Sequence, residues 1–78
     1  MKNITVYTTT TCPFCVMVKQ FLSEQNIPFK EINVERNPET MKKVVEATGQ
    51  FGVPQTEIDG KWIVGFDPHG IMQALKNE

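Results

Sequence analysis

The chain has 78 residues, enough for one domain spanning 1–78 and no second, and its 40% hydrophobic and 22% charged content describes a folded protein rather than a disordered one. Eight Lys and Arg against nine Asp and Glu leave a net charge of −1, so no basic excess gathers phosphates and nucleic acid is not expected as a partner. No apolar run reaches the roughly 18 residues a membrane span needs, and Met1-Lys2-Asn3 leads into strand-forming residues without an apolar leader, so a cytoplasmic monomer with no membrane contact is expected.

Ile4-Thr5-Val6-Tyr7-Thr8 is β-branched and aromatic and predicts a first strand. Thr9, Thr10 and Thr11 form a polar junction, and Pro13 suits the first helical position, where its missing N–H costs nothing. Phe14, Val18, Phe21, Leu22 and Gln25 keep helical spacing, apolar except at the end, so the helix is expected over 13–25. Asn26-Ile27-Pro28 stops it, and 29–34 reads as a second strand with Ile32 and Val34 on one face.

Asn37-Pro38 is an N-cap and N1 pair, with Glu39 in the first turn. Met41, Val44, Val45 and Thr48 continue a helix whose apolar stripe belongs to the core, and Gly49 closes it. Asp59-Gly60, between Gln55–Ile58 and Lys61–Val64, predicts a two-residue hairpin. That hairpin sets Glu57 opposite Trp62, which implies an edge position with the indole partly covered. Asp67-Pro68 repeats the N-cap pattern before a short helix carrying Ile71, Ala74 and Leu75, weakened by Gly70. The order βαβαββα defines an α/β protein with a four-stranded mixed sheet and helices on both faces.

Cys12-Pro13-Phe14-Cys15 falls where the first strand hands over to the first helix. A helix N-terminus offers unpaired N–H groups and about half a positive charge, which stabilise an anion placed there. Cys12 at the N-cap gains most, and its thiol is expected in the range of about 3.5–7.5 found for such cysteines. Cys15 follows one turn later, within disulfide reach, so Cys12 is the candidate nucleophile and Cys15 the resolving thiol. A structural zinc site needs four ligands, and the only further soft one is His69; no metal is expected. An inert buried pair is disfavoured by the helix-start position, and a static disulfide by a reducing compartment. His69 itself reads as an ordinary polar residue of the last helix's first turn.

Tyr7-Thr-Thr-Thr-Thr-Cys12-Pro-Phe-Cys15, then Gly52-Val53-Pro54, Ile58-Asp59-Gly60-Lys61 and Gly65-Phe66-Asp67, resemble the glutaredoxins along essentially the whole chain. The resemblance implies the thioredoxin fold, a dithiol–disulfide oxidoreductase, and a cis Val53–Pro54 bond in a loop facing the active cysteine. It makes Val53 the residue whose backbone pairs with an incoming thiol peptide, and it adds Thr11, Pro13, Phe14, Pro54, Gly65, Phe66 and Asp67 to the expected binding surface. No bound cofactor is implied; glutathione, or thioredoxin reductase with NADPH, supplies electrons for reducing disulfide-containing proteins. A glutathione-dependent iron–sulfur cluster module is the alternative within the family.

Two departures qualify the resemblance. Many glutaredoxins carry Lys where this chain has Thr9, and their Gly-Gly-x-Asp-Asp stretch is here Val64-Gly65-Phe66-Asp67-Pro68. The second form is similar to NrdH-redoxins, electron donors to ribonucleotide reductase that are reduced by thioredoxin reductase, although their redox motif usually lacks the Pro-aromatic pair.

Overall fold

The computed structural model describes residues 3–50 and 52–76; Met1, Lys2 and the last two residues of the expected 1–78 domain, like residue 51, lie outside them. The elements follow the expected order: β1 (Ile4–Thr8), α1 (Pro13–Glu24), β2 (Lys30–Asn33), α2 (Pro38–Thr48), β3 (Gln55–Ile58), β4 (Lys61–Val64) and α3 (Pro68–Lys76). The sheet runs β2-β1-β3-β4, with β1 parallel to β2 and antiparallel to β3.

Alternation along β1 divides the core. Ile4 and Val6 face Val18 and Leu22 of α1 and Ile71 and Ala74 of α3, together with Ile58 and Ile63. Tyr7 faces the other way, onto Val34 and Val44 of α2, with Ile32, Met41, Val53 and Trp62 around them. Helices thus cover both faces, as period-2 strands of this composition require.

The helix ends follow local chemistry. α1 stops one residue short of expectation, with Gln25 as C-cap and Asn26 in the left-handed region at φ 58°. Asn26 N–H donates to the Ser23 carbonyl at 3.0 Å and Ile27 N–H to that of Leu22 at 2.9 Å. This is the paired Schellman closure, with Ile27 packed against the core. Gly49 closes α2 at φ 73°, as expected. Asn37 departs from expectation: it occupies the N-cap position, but its amide donates to the Asn33 carbonyl at 2.9 Å and does not cap the helix.

β2 is also shorter than the expected 29–34. It is an edge strand, and among the described residues only the Val34 N–H to Thr8 carbonyl bond, 2.8 Å, extends its pairing. A side-chain relay ties it to α1: Lys19 pairs with Glu31 at 3.0 Å and the Thr8 hydroxyl donates to the same carboxylate at 2.9 Å. The Lys19 ammonium, aided by Thr8 and opposed by burial, holds the Glu31 carboxyl below its usual range.

At the hairpin, Asp59 and Gly60 both take positive φ, 48° and 88°, as a type I′ turn demands. Glu57 lies opposite Trp62, and β4 is the sheet edge, as anticipated. The pairing is tolerated because Tyr7 mediates it: its hydroxyl donates to Glu57 Oε1 at 3.0 Å, and its ring stacks on Trp62 with centroids 5.3 Å apart.

Burial, and then the Glu57 carboxylate, push the Tyr7 phenol from 10.0 up to about 12. A raised acid pKa means the folded state holds its proton more tightly than the unfolded one. The resulting stability is fully present below pH 10.0 and is lost as pH rises toward about 12. We expect Tyr7→Phe to remove that alkaline loss and to cost about 1–2 kcal/mol at neutral pH by stripping Glu57 of its donor. Denaturant unfolding against pH checks both effects, and absorbance titration of the phenolate is unambiguous because the chain has a single tyrosine.

Candidate redox site

The strand register gathers the site at one end of the sheet. Thr8 lies opposite Asn33, Tyr7 opposite Gln55, and Gln55 opposite Val64. The segments leaving β1, β2 and β4 and the segment entering β3 therefore converge, although they span residues 9 to 67 of the chain.

Cys12 is the N-cap of α1, extended at φ −151° and ψ 96°, with Pro13 opening the helix. Its carbonyl accepts from Val16 N–H at 3.2 Å, and its Sγ accepts from Cys15 N–H at 3.1 Å. The sulfur thus occupies the place of a capping oxygen, aimed at a helical N–H otherwise unpaired. Cys12 and Cys15 are joined in a disulfide, with Cα atoms 5.2 Å apart. The two differ in access: Cys15 is 2% exposed, while Cys12 is only half-buried. Phe14 points outward, 58% exposed, and Val16 and Met17 add apolar surface beside it.

The threonine junction before Cys12 is fastened to the end of β2. Thr10 N–H donates to Glu35 Oε1 at 3.0 Å, and the Asn33 amide donates to Thr10 Oγ1 at 3.2 Å. Asn33 Oδ1 in turn accepts from Glu35 N–H at 2.9 Å. Asn33 and Glu35 were not among the expected site residues. The C-terminal ends of adjacent parallel strands lie side by side, so the βαβ unit held the only sequence signal for them. Thr11 is exposed, its carbonyl at 3.5 Å from the Thr9 hydroxyl.

The Val53–Pro54 bond is cis, as expected. Pro54 is buried, Val53 half-buried, and the Pro54 carbonyl accepts from Gly65 N–H at 2.8 Å. That bond brings Gly65, left-handed at φ 82°, to the same end of the sheet. Phe66 is half-buried against the core under α1 and α3. Asp67 turns its carboxylate onto its own helix, accepting from Gly70 N–H at 3.0 Å. Among the described residues, no three His, Cys, Asp or Glu side chains are grouped as metal ligands, and no helix is long and apolar enough to cross a membrane.

A disulfide-bonded Cys-x-x-Cys pair at a helix N-terminus, on a βαβαββα frame, defines a thiol–disulfide oxidoreductase of the thioredoxin fold. The glutaredoxin family profile matches residues 4–63, and the chain belongs to that family. A glutaredoxin-like 8.6 kDa protein of the Clostridium pasteurianum rubredoxin operon is 39% identical over 94% of this chain and 97% of its own. The glutaredoxin-like protein NrdH of Lactococcus lactis is 42% identical, covering 83% of this chain and 89% of its own. A crystal structure of a thioredoxin-like protein matches with TM-score 0.87 at 32% identity over 100% of both chains. The protein is a dithiol–disulfide oxidoreductase, of a class that acts on disulfides and draws electrons from glutathione or thioredoxin reductase.

The Asp67 cap also explains Gly70. A Cβ at this position would collide with the Asp67 carboxylate. Gly70→Ala therefore gains about 0.5–1 kcal/mol of helix propensity but forfeits a cap bond worth about 0.5–2 kcal/mol. We expect it to be neutral or destabilising in the native chain, and stabilising by about 0.5–1 kcal/mol when Asp67→Ala has already removed the cap. A double-mutant cycle of denaturant unfolding measures that coupling.

Proposed function

We propose that Cys12 is the nucleophile and Cys15 the resolving thiol in the reduction of protein disulfides, with thioredoxin reductase the preferred source of electrons. The observation that carries the assignment is the contrast between the accessible Cys12 at the N-cap and the buried Cys15 whose N–H points at it. An anionic Cys12 sulfur is stabilised by that N–H and by the α1 dipole.

The thiolate attacks one sulfur of a substrate disulfide, forming a Cys12–substrate bond and releasing the other sulfur as a thiolate that takes up a proton. Cys15, giving up its proton, then attacks Cys12 Sγ and forms the disulfide present in the structure. The second substrate thiol leaves, and two electrons have passed to the substrate. Val53, in the segment that enters β3 at the same end of the sheet, is the backbone partner of the substrate peptide, and Phe14 an apolar contact for it. Among the described residues no backbone hydrogen bond engages Val53, which leaves its N–H and carbonyl open to such pairing.

The reductant follows from charge. Glutathione carries two carboxylates, and a site for it presents cationic or N–H donors. Thr9 replaces a lysine common in the family, removing a contact worth about 1.5–3 kcal/mol, or roughly tenfold to a hundredfold in affinity. The N-terminus of α3 offers little in return: Pro68 has no N–H, and Gly70 N–H already serves Asp67. The likeness to the NrdH protein of Lactococcus lactis supports the same reading, with ribonucleotide reductase among the candidate protein substrates.

Cys12→Ser is expected to abolish disulfide reduction, while Cys15→Ser traps a covalent mixed disulfide visible by mass spectrometry. Alkylation of the reduced protein at mildly acidic pH should mark Cys12 first; preferential marking of Cys15 reverses the roles. For the reductant, steady-state reduction of the oxidised protein is compared with thioredoxin reductase plus NADPH and with glutathione. Faster reduction by the reductase is expected, and turnover with glutathione alone overturns the preference.

A further inference from the structure

We propose that Gln55 is the positioning residue of the substrate-docking loop, its buried amide holding the main chain around Val53 in the conformation that receives a peptide. The inference rests on the reading of Val53 as the docking residue. Gln55 opens β3 and is 0% exposed. Its Nε2 donates twice, to the Gln50 carbonyl at 3.0 Å and to the Gly52 carbonyl at 2.9 Å. One amide thus binds both ends of the short segment that precedes Val53.

The arrangement around Val53 is symmetrical in effect. The Gly52 carbonyl before it is held by Gln55, and the Pro54 carbonyl after it by Gly65 N–H. Both neighbours are anchored, while among the described residues no hydrogen bond occupies the main-chain groups of Val53, which can pair with a strand from outside. The other end of the amide shows what the side chain is kept for. Gln55 Oε1 is buried without a hydrogen-bond partner, so the residue retains an unpaired acceptor in order to place its donors. The reverse amide orientation would set that oxygen against two carbonyls, so the donor assignment is fixed by its surroundings.

A loop held in its competent shape only part of the time binds proportionately more weakly, without slowing the chemistry at Cys12. Gln55→Met keeps the length and bulk of the side chain and removes both donors. It is expected to raise KM for a disulfide-bonded protein, insulin, about tenfold with kcat unchanged, if the competent loop falls to about one tenth of the population. Reduction of 2-hydroxyethyl disulfide, which has no peptide backbone to dock, should be unaffected.

Amide hydrogen exchange separates this inference from the reading beneath it. In the Cys15→Ser protein trapped as a mixed disulfide with a cysteine-containing peptide, the Val53 amide is expected to become protected, and Gln55→Met to abolish that protection. Protection that survives Gln55→Met, with KM unchanged, overturns the role of Gln55 and leaves Val53 docking in place. Absence of protection on trapping overturns the docking reading and this inference with it. An equal loss of kcat on insulin and on the small disulfide assigns Gln55 to general stability and also overturns the proposal.

Discussion

β1 is hydrogen-bonded on both sides, in parallel to β2 and antiparallel to β3, and the geometry of the redox end depends on that double pairing. Its register is fixed from within, because Val6 and Tyr7 are buried on opposite faces, at 0% and 3% exposure. A slip of one residue would exchange them, sending a phenol into the aliphatic cluster under α1 and α3. The same slip would part Thr8 from Asn33 and move Gln55 off Tyr7. Packing at the middle of the sheet therefore aligns Cys12, Asn33, Pro54 and Gly65 at its end.

The loops at that end are held by directed hydrogen bonds, from polar side chains and from the backbone, as well as by the packing of Val53 and Phe66. Glu35 and Asn33 fasten the threonine junction, Gln55 fastens the segment before Val53, and Gly65 fastens Pro54. Directed bonds to the backbone hold shape while leaving the surface open, as the proposed docking of an extended peptide requires. Phe14, Val16 and Met17 stay exposed next to the disulfide under the same constraint.

What the sequence showed was what local chemistry determines. Pro13 and Pro68 open helices, Gly49 closes one, and Asp59-Gly60 turns the hairpin, each through a conformational preference confined to a few residues. The Cys12–Cys15 pair was legible for the same reason. The misread or unseen features depend on neighbours distant in the chain or on side-chain competition. Asn37 has the chemistry of an N-cap, but the Asn33 carbonyl four residues back takes its amide. Gly70 does weaken α3 by propensity, but the Asp67 carboxylate lying where its Cβ would be is not visible in the sequence. The Glu57–Trp62 pair was placed correctly, yet the residue that reconciles it, Tyr7, is 50 positions from Glu57.

The carboxylates of this end are already committed. Glu35 accepts from Thr10 N–H, Asp67 from Gly70 N–H, and Glu31, further back, from Lys19 and Thr8. Each is engaged by a donor that belongs to the scaffold, a backbone N–H for Glu35 and Asp67 and the Lys19 ammonium for Glu31. At the sulfur, the α1 N-terminus supplies Cys15 N–H and the aligned peptide dipoles, which favour negative charge there. Those dipoles are fixed by the backbone and need no reorganisation when the sulfur becomes anionic. On the proposed reading of Val53 as the docking residue, shape and main-chain pairing there supply the selectivity among substrates.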